Sequence, residues 1–294
     1  MNAQALIPIL IPGALALIML GMGMRLKIAD FTRVFREPRA ILVGLFCQMT
    51  LLPLVAFGLA VAFPMRPEFA IGLMLIALSP GGATSNMFSL LARGDLGLSV
   101  SLTAISSSLC VISVPLLLNL ILPFFMEGPS EITLPVLSTM KQIAYITVIP
   151  ISLGMLINAM APRFCEWLEQ PLKIFSMVFL LVAISLILMR ERERFVELLF
   201  SAGPAAILLN VLAMGLGAVF ARWAALNFQQ QRTLVIEVGI QNAILATAIA
   251  VSPAMLNNTT IAMVPTIYGF TMVVIMGVYL FWVLRKPIPI EEGA

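Results

Sequence analysis

Glu237 is the residue around which the chemistry of this chain must be arranged. It stands in an apolar run from about Leu234 to Val251, long enough to be buried in a membrane. A carboxylate at that depth is costly unless it is paired, coordinated or protonated, so it marks function by default. Gln241 and Asn242 follow within five residues, with Gly239 between. Glycine weakens the helix just where these polar groups cluster, and backbone carbonyls freed inside a membrane need a partner. A cation supplies one. A polar tie to a neighbouring helix, with the acid as structural glue, is the plainer reading.

Sodium is a hard cation that takes several oxygen ligands and neither nitrogen nor sulfur, by the same logic that governs calcium and magnesium. Suitable oxygens occur at Ser85 and Asn86, and at Ser99 and Thr103. The i, i+4 spacing of the last two puts both hydroxyls on one helix face. Gln48 is the only carboxamide of its apolar run, and Gln241 adds a second. Each group alone has an ordinary role, since membrane Ser and Thr satisfy backbone carbonyls and a lone Gln bonds a neighbouring helix. Together with an acid that no intramembrane Lys or Arg neutralises, they form a ligand set.

The elements that must position these groups are membrane helices. Of 294 residues, 61% are hydrophobic and 11% charged, too little charged surface for a soluble domain of this size. Nine runs reach the roughly 20-residue length a bilayer demands. They lie near 4–24, 40–63, 68–91, 96–125, 136–159, 171–189, 204–226, 232–251 and 257–283. The first is followed at once by others, so it is expected to be a true span and not a cleaved leader. Connections are short, which predicts one transmembrane domain over 1–294 with no soluble domain attached.

Histidine is absent, which removes the commonest metal ligand, general base and proton relay. An intramembrane enzyme would need a nucleophile with a base, or paired acids, and Glu237 is the only acid deep in any span. Three cysteines make neither a disulfide framework nor a metal site. The net charge of +3 comes from loop residues and gives no support for nucleic-acid binding.

Orientation follows from Lys and Arg. With the N-terminus outside, the inner side holds the five between 25 and 39, with Arg93, Arg163, Lys173, Arg222, Arg232, Arg285 and Lys286. The outer side keeps Arg66, Lys141, Arg190, Arg192 and Arg194, so the count is 12 against 5. This predicts a multi-pass protein of the plasma (inner) membrane, N-out and C-in.

Two spans are interrupted. The third reads Ser79-Pro80-Gly81-Gly82-Ala83-Thr84-Ser85-Asn86, where Pro80 removes a helix donor and Thr84, Ser85 and Asn86 can cap a restarted helix. The eighth is the span of Glu237 to Asn242. They are an odd number of spans apart and so enter the membrane in opposite directions. Paired broken helices in oppositely oriented halves point to a secondary transporter built from inverted repeats. Here one copy lacks its leading helix. A channel is conceivable, but a dead-end pair of broken helices suits alternating access better than a continuous pore.

The same residues resemble a known family. Ser79 to Asn86, continuing through Leu91-Ala92-Arg93-Gly94-Asp95 to Leu98-Ser99-Val100, is similar to the bile acid/sodium symporter family. So are Thr233 to Asn242 and the opening Leu20-Gly21-Met22-Gly23-Met24 with Asp30-Phe31 and Arg36-Glu37-Pro38. The similarity spans nearly the whole chain. It implies a core of six helices, near 40–125 and 204–283, moving against a panel formed by the spans near 4–24, 136–159 and 171–189. It also implies two sodium ions behind the crossing of the broken helices. The first would take Ser85, Asn86, Ser99, Thr103 and Glu237. The second would take Gln48, Glu237, Gln241 and the backbone carbonyls of Val238 and Ile240. Some bacterial relatives have ten spans, and this chain begins where their second would.

Two departures bear on the substrate. Bacterial relatives often carry Thr where this chain has Ala83, with the hydroxyl here at Thr84 instead. Many place an Asn in the last span where this chain reads Met272-Val273-Val274-Ile275. On a residual helix Gln241 and Asn242 would project about 100° apart, which assigns Gln241 to sodium and Asn242, with Thr84, to the substrate. The expectation is a sodium-coupled importer of a small or amphipathic organic anion. A proton-coupled carrier with Glu237 as relay is the alternative.

Overall fold

The computed structural model describes residues 3–126, 135–190 and 195–285. Of the charge count above, Arg192, Arg194 and Lys286 lie outside the described residues. All described elements are helical. In order they are α1 (Ala3–Gly23), α2 (Ile28–Arg36), α3 (Pro38–Phe46), α4 (Leu52–Ala62), α5 (Pro67–Leu78), α6 (Ala83–Leu91) and α7 (Leu96–Phe125). After them come α8 (Val136–Ile146), α9 (Val148–Met160), α10 (Pro162–Arg190), α11 (Phe195–Trp223), α12 (Phe228–Gly239), α13 (Ala243–Val251) and α14 (Thr259–Leu284). A π-helical turn over Cys47–Leu51 joins α3 to α4 into one continuous span.

Five segments among the described residues are long and apolar enough to cross a membrane: Pro38–Ala62, Leu96–Phe125, Val136–Met160, Phe200–Trp223 and Thr259–Leu284. Local chemistry sets the helix starts. Pro38 and Pro67 open α3 and α5, where a missing N–H costs nothing. Asp95, Asn227, Asn242 and Asn258 cap α7, α12, α13 and α14, each accepting a backbone N–H of the first turn.

Both expected interruptions are present. The first separates α5 from α6 over residues 79–82, and the second separates α12 from α13 over 240–242. The two extended segments cross and pair with each other. The Gly82 N–H donates to the Ile240 carbonyl at 3.2 Å and the Asn242 N–H to the Pro80 carbonyl at 2.8 Å. Positions 80 and 82 of the first segment correspond to 240 and 242 of the second, each 160 residues further on, so exchanging the two segments turns one bond into the other, as about a local twofold axis. The flanking helices match as well: α5 and α12 have 12 residues each, α6 and α13 nine.

Three expectations need correction. The N-cap of α6 is Gly82, with no side-chain cap, so Thr84, Ser85 and Asn86 sit inside its first turns and cap nothing. The backbone at Ile240 is extended, not residual helix, so Gln241 and Asn242 project to alternate sides and not 100° apart. The helix containing 171–189 begins at Pro162, because Pro171 is absorbed in its interior. The span near 136–159 holds as Val136–Met160, with a bend at Thr147 where Pro150 supplies no N–H for the Ile146 carbonyl.

The segment between the first two spans is also not plain loop. It forms α2, a short amphipathic helix held on α7 by the Arg33–Asp95 ion pair at 2.6 Å. The segments expected on one side of the membrane do gather at one end of the bundle. Arg33 meets Asp95 there, Gln230 donates to Glu37 at 2.9 Å, and Arg232 donates to the Ala92 carbonyl at 2.7 Å. Away from that end, α5 is buried along its whole apolar length between α4, α7 and α14. Helix α1 packs chiefly on α9 and also on α13, α10 and α8. Gly154 lets α9 approach α1 closely, since a Cβ there would lie 2.7 Å from the Met24 nitrogen.

Candidate functional site

The crossing brings the sequence-predicted oxygens together around Glu237, which is 1% exposed. Its carboxylate accepts the Ser99 hydroxyl at 2.7 Å and the Thr103 hydroxyl on its other oxygen. Ser99 is in turn 2.9 Å from Asn86 Oδ1, and Ser85 shares a hydrogen bond with Thr103 at 3.4 Å. One helix face of α7 therefore presents its i, i+4 hydroxyls to an acid on α12 and to the first turns of α6. Ser89, not singled out by the sequence, extends the network by donating to Ser99 at 3.2 Å. Among the described residues no Lys or Arg forms an ion pair with Glu237. The buried Arg232 of the same helix is spent on the Ala92 and Val283 carbonyls and on the Phe228 ring.

Two carboxamides lie against the backbone of the same turn. Gln48 donates through Nε2 to the Glu237 carbonyl at 3.4 Å, and Gln241 turns back to the Val238 carbonyl at 2.8 Å. The acceptor oxygens of both, Gln48 Oε1 and Gln241 Oε1, are buried without a hydrogen-bond partner. Orphaned buried acceptors are destabilising unless something binds them. The π turn sets the Gln48 position, because one extra residue in the turn rotates everything that precedes it. Gly81 completes the wall: a Cβ there would collide with Glu237 Oε1 and stand 3.2 Å from Gln48 Nε2.

This donor set suits a monovalent, oxygen-seeking cation. It has one carboxylate and several neutral oxygens, and among the described residues no three His, Cys, Asp or Glu cluster as a transition-metal site would require. The freed carbonyls are fewer than the sequence suggests. Ile240 O and Pro80 O are used in the crossing pair, and Gly239 O accepts Asn210 Nδ2 at 2.7 Å and the Tyr268 hydroxyl at 2.9 Å.

A protein-family model for the sodium bile acid symporter family matches residues 12–198. The ileal sodium/bile acid cotransporter of Homo sapiens is 30% identical over 281 residues, covering 92% of this chain and 78% of its own length. The chain belongs to the sodium bile acid symporter family. The family is one of membrane transporters and not of enzymes. A relative from Bacillus subtilis, the sodium-dependent transporter YocS, is 31% identical over 240 residues, covering 80% of this chain and 72% of its own. A probable chloroplastic sodium/metabolite cotransporter of Arabidopsis thaliana, BASS1, is 29% identical over 244 residues, 80% of this chain and 57% of its own. The family model ends before α12, so it covers the first break alone. The 281-residue alignment leaves too little of the chain uncovered to miss either break.

Within the symporter family frame, Asn242 has a divided role. Its Oδ1 caps α13 by accepting the Leu245 N–H at 2.9 Å, while its Nδ2 is buried with no partner. Thr84 is half-buried in the first turn of α6, whose N-terminus carries no side-chain cap. The sequence reading missed Asn210 and Tyr268. They clamp the free carbonyl at the second break, and both are fully buried. Asn210 carries the signal that marked Gln48, being the sole carboxamide of an apolar run.

Proposed function

We propose that this protein is a sodium-coupled symporter that imports a small or amphipathic organic anion by alternating access. The observation that carries the reading is the state of Glu237: a buried carboxylate with no basic partner among the described residues, near hydroxyls and two orphaned carboxamide oxygens. One sodium ion is held by Ser85, Asn86, Ser99, Thr103 and Glu237. The hydroxyls that now donate to the carboxylate rotate to present lone pairs when it arrives. A second is held by Glu237, Gln48, Gln241 and the Val238 and Ile240 carbonyls, each carbonyl through the lone pair that its hydrogen bond from Gln241 or Gly82 leaves over. The orphaned acceptors of Gln48 and Gln241 support this second set.

In this reading the chain crosses the membrane nine times, N-out and C-in, as one transmembrane domain. Helices α3–α7 and α11–α14 form the core as two inverted repeats, supported by the equal lengths of the broken helices and their symmetric pairing. The panel is α1, α8–α9 and α10. Sodium draws Glu237 on α12 toward Ser99 and Thr103 on α7 and toward α6, which fixes the crossing in one geometry. The substrate is read by Thr84, the open N-terminus of α6 and the Asn242 donor, a reading supported by the uncapped helix start and the unpartnered Nδ2. A helix N-terminus with free N–H groups favours an anion. Rocking of core against panel then exposes the site to either side. Two sodium ions with a monoanion move one net charge inward, which adds roughly 2.3 kcal/mol per 100 mV.

Reconstituted uptake tests the proposal. Proteoliposomes with an inward sodium gradient and an interior-negative potential should accumulate radiolabelled organic anions, screened first by thermal stabilisation in sodium. Uptake that persists undiminished when choline replaces sodium at fixed pH would transfer the coupling role of Glu237 to protons.

A further inference from the structure

A cleft of about 730 Å³ opens where the corner between α1 and α2 faces the corner between α9 and α10. Its polar groups are Arg25, Lys27, Asn158 and Glu166, and its apolar wall includes Ile28 and Leu156. No lining residue lies on a broken helix, so the cleft is separate from the Glu237 cluster. Asn158 ties the two corners together by donating to the Leu26 carbonyl at 3.3 Å. The cleft therefore has a built floor.

Its level in the molecule is that of the membrane boundary. Helices α1 and α9 end beside it, and α10 begins there. Met160 is 77% exposed and Trp167 70%, with the Phe164 and Trp167 rings 6.1 Å apart. Outward-facing aromatic rings at the end of a span belong to the headgroup zone. Helix α2 continues the same surface. Ile28 and Phe35, seven residues apart on one stripe of α2, are 76% and 84% exposed, and the exposed Arg36 flanks that stripe. A short helix of this kind lies in the interface, apolar side chains among acyl chains and basic ones among headgroups.

We propose that the cleft binds the headgroup of a monoanionic phospholipid from the adjoining leaflet. Arg25 and Lys27 meet the phosphodiester, and Ile28 and Leu156 meet the first carbons of the acyl chains. The Arg25 guanidinium and the Lys27 ammonium attract a headgroup whose only charge is the phosphodiester and repel the cationic end of a zwitterion. Basic pockets between membrane helices select anionic headgroups for this reason.

The test uses the purified full chain in detergent, titrated with phosphatidylglycerol or phosphatidylcholine and read by native mass spectrometry and thermal shift. Wild type should retain phosphatidylglycerol in preference. Each neutralisation should weaken it about fivefold, so Arg25→Gln with Lys27→Gln loses roughly thirtyfold while phosphatidylcholine binding is unchanged. Lys27→Gln alone, at an exposed position, keeps the test valid if the pair fails to fold. A control pair away from the cleft and from α2, Arg66→Gln with Lys141→Gln, should retain the preference. The proposal is overturned if the cleft variants keep wild-type selectivity, if the control pair loses as much, or if free glycerol phosphate displaces the lipid.

Discussion

Replacing Gly81 with alanine isolates the ion cluster from the rest of the fold. The backbone at Gly81 accepts an alanine, since it is not in the left-handed region, so only space is at issue. The added Cβ collides with Glu237 Oε1 and comes within 3.3 Å of Glu237 Cδ and 3.2 Å of Gln48 Nε2. A flexible side-chain end usually moves aside at little cost. This one is pinned by Thr103 and Ser99, so it escapes only by giving up a hydroxyl of the proposed first site. Overpacking of this kind costs roughly 1–3 kcal/mol, which corresponds to about 5- to 150-fold in sodium affinity. Gly58→Ala is the matched control, because a Cβ there meets nothing within 4 Å. In mid-helix it should be neutral or stabilise by about 0.5–1 kcal/mol. The assay is the midpoint of sodium-dependent thermal stabilisation, with choline holding ionic strength constant. A Gly81→Ala protein that folds and responds to sodium at wild-type concentrations would refute the placement of the ions at this wall.

Asn242→Ser keeps an oxygen to cap α13 but removes the unpaired Nδ2. Half-saturating substrate should rise about ten- to a hundredfold while sodium binding alone stays unchanged, as isothermal titration would read. Tyr268→Phe removes one of the two donors on the Gly239 carbonyl. It should cost roughly 0.5–1.5 kcal/mol in sodium-loaded stability, measured by chemical denaturation in sodium and in choline, with the larger loss in sodium. Thr103→Ala touches the first proposed site and not the second. The Hill coefficient for sodium in uptake should fall toward one, with residual dependence retained.

Much of this site is legible in the sequence because its signals are local. Proline and paired glycines inside an apolar run mark the first break, and an acid followed by Gly239 and two carboxamides marks the second. Ser99 and Thr103 share a face by helical spacing alone. What is not legible is long-range. Nothing near Pro80 announces that its carbonyl will accept from Asn242, and that pairing occupies one lone pair on backbone oxygens which a local reading leaves wholly free for ions. The extended conformation at Ile240 has the same origin, since the partner strand and not local propensity holds it. The π turn that positions Gln48 leaves no trace in composition. Helix α2 is too short and too polar to register among spans, and its stability comes from the Arg33–Asp95 tie to α7.

The central claim is that Glu237 is charged, without a basic partner, and compensated by sodium. Sodium titration of wild type beside Glu237→Gln, followed by thermal unfolding, tests it most directly. Removing an uncompensated buried charge relieves its desolvation cost. The account therefore predicts that Glu237→Gln is at least as stable as wild type without sodium. It also predicts that sodium raises the unfolding temperature of wild type alone. A Glu237→Gln protein that sodium stabilises as strongly as wild type would contradict the account.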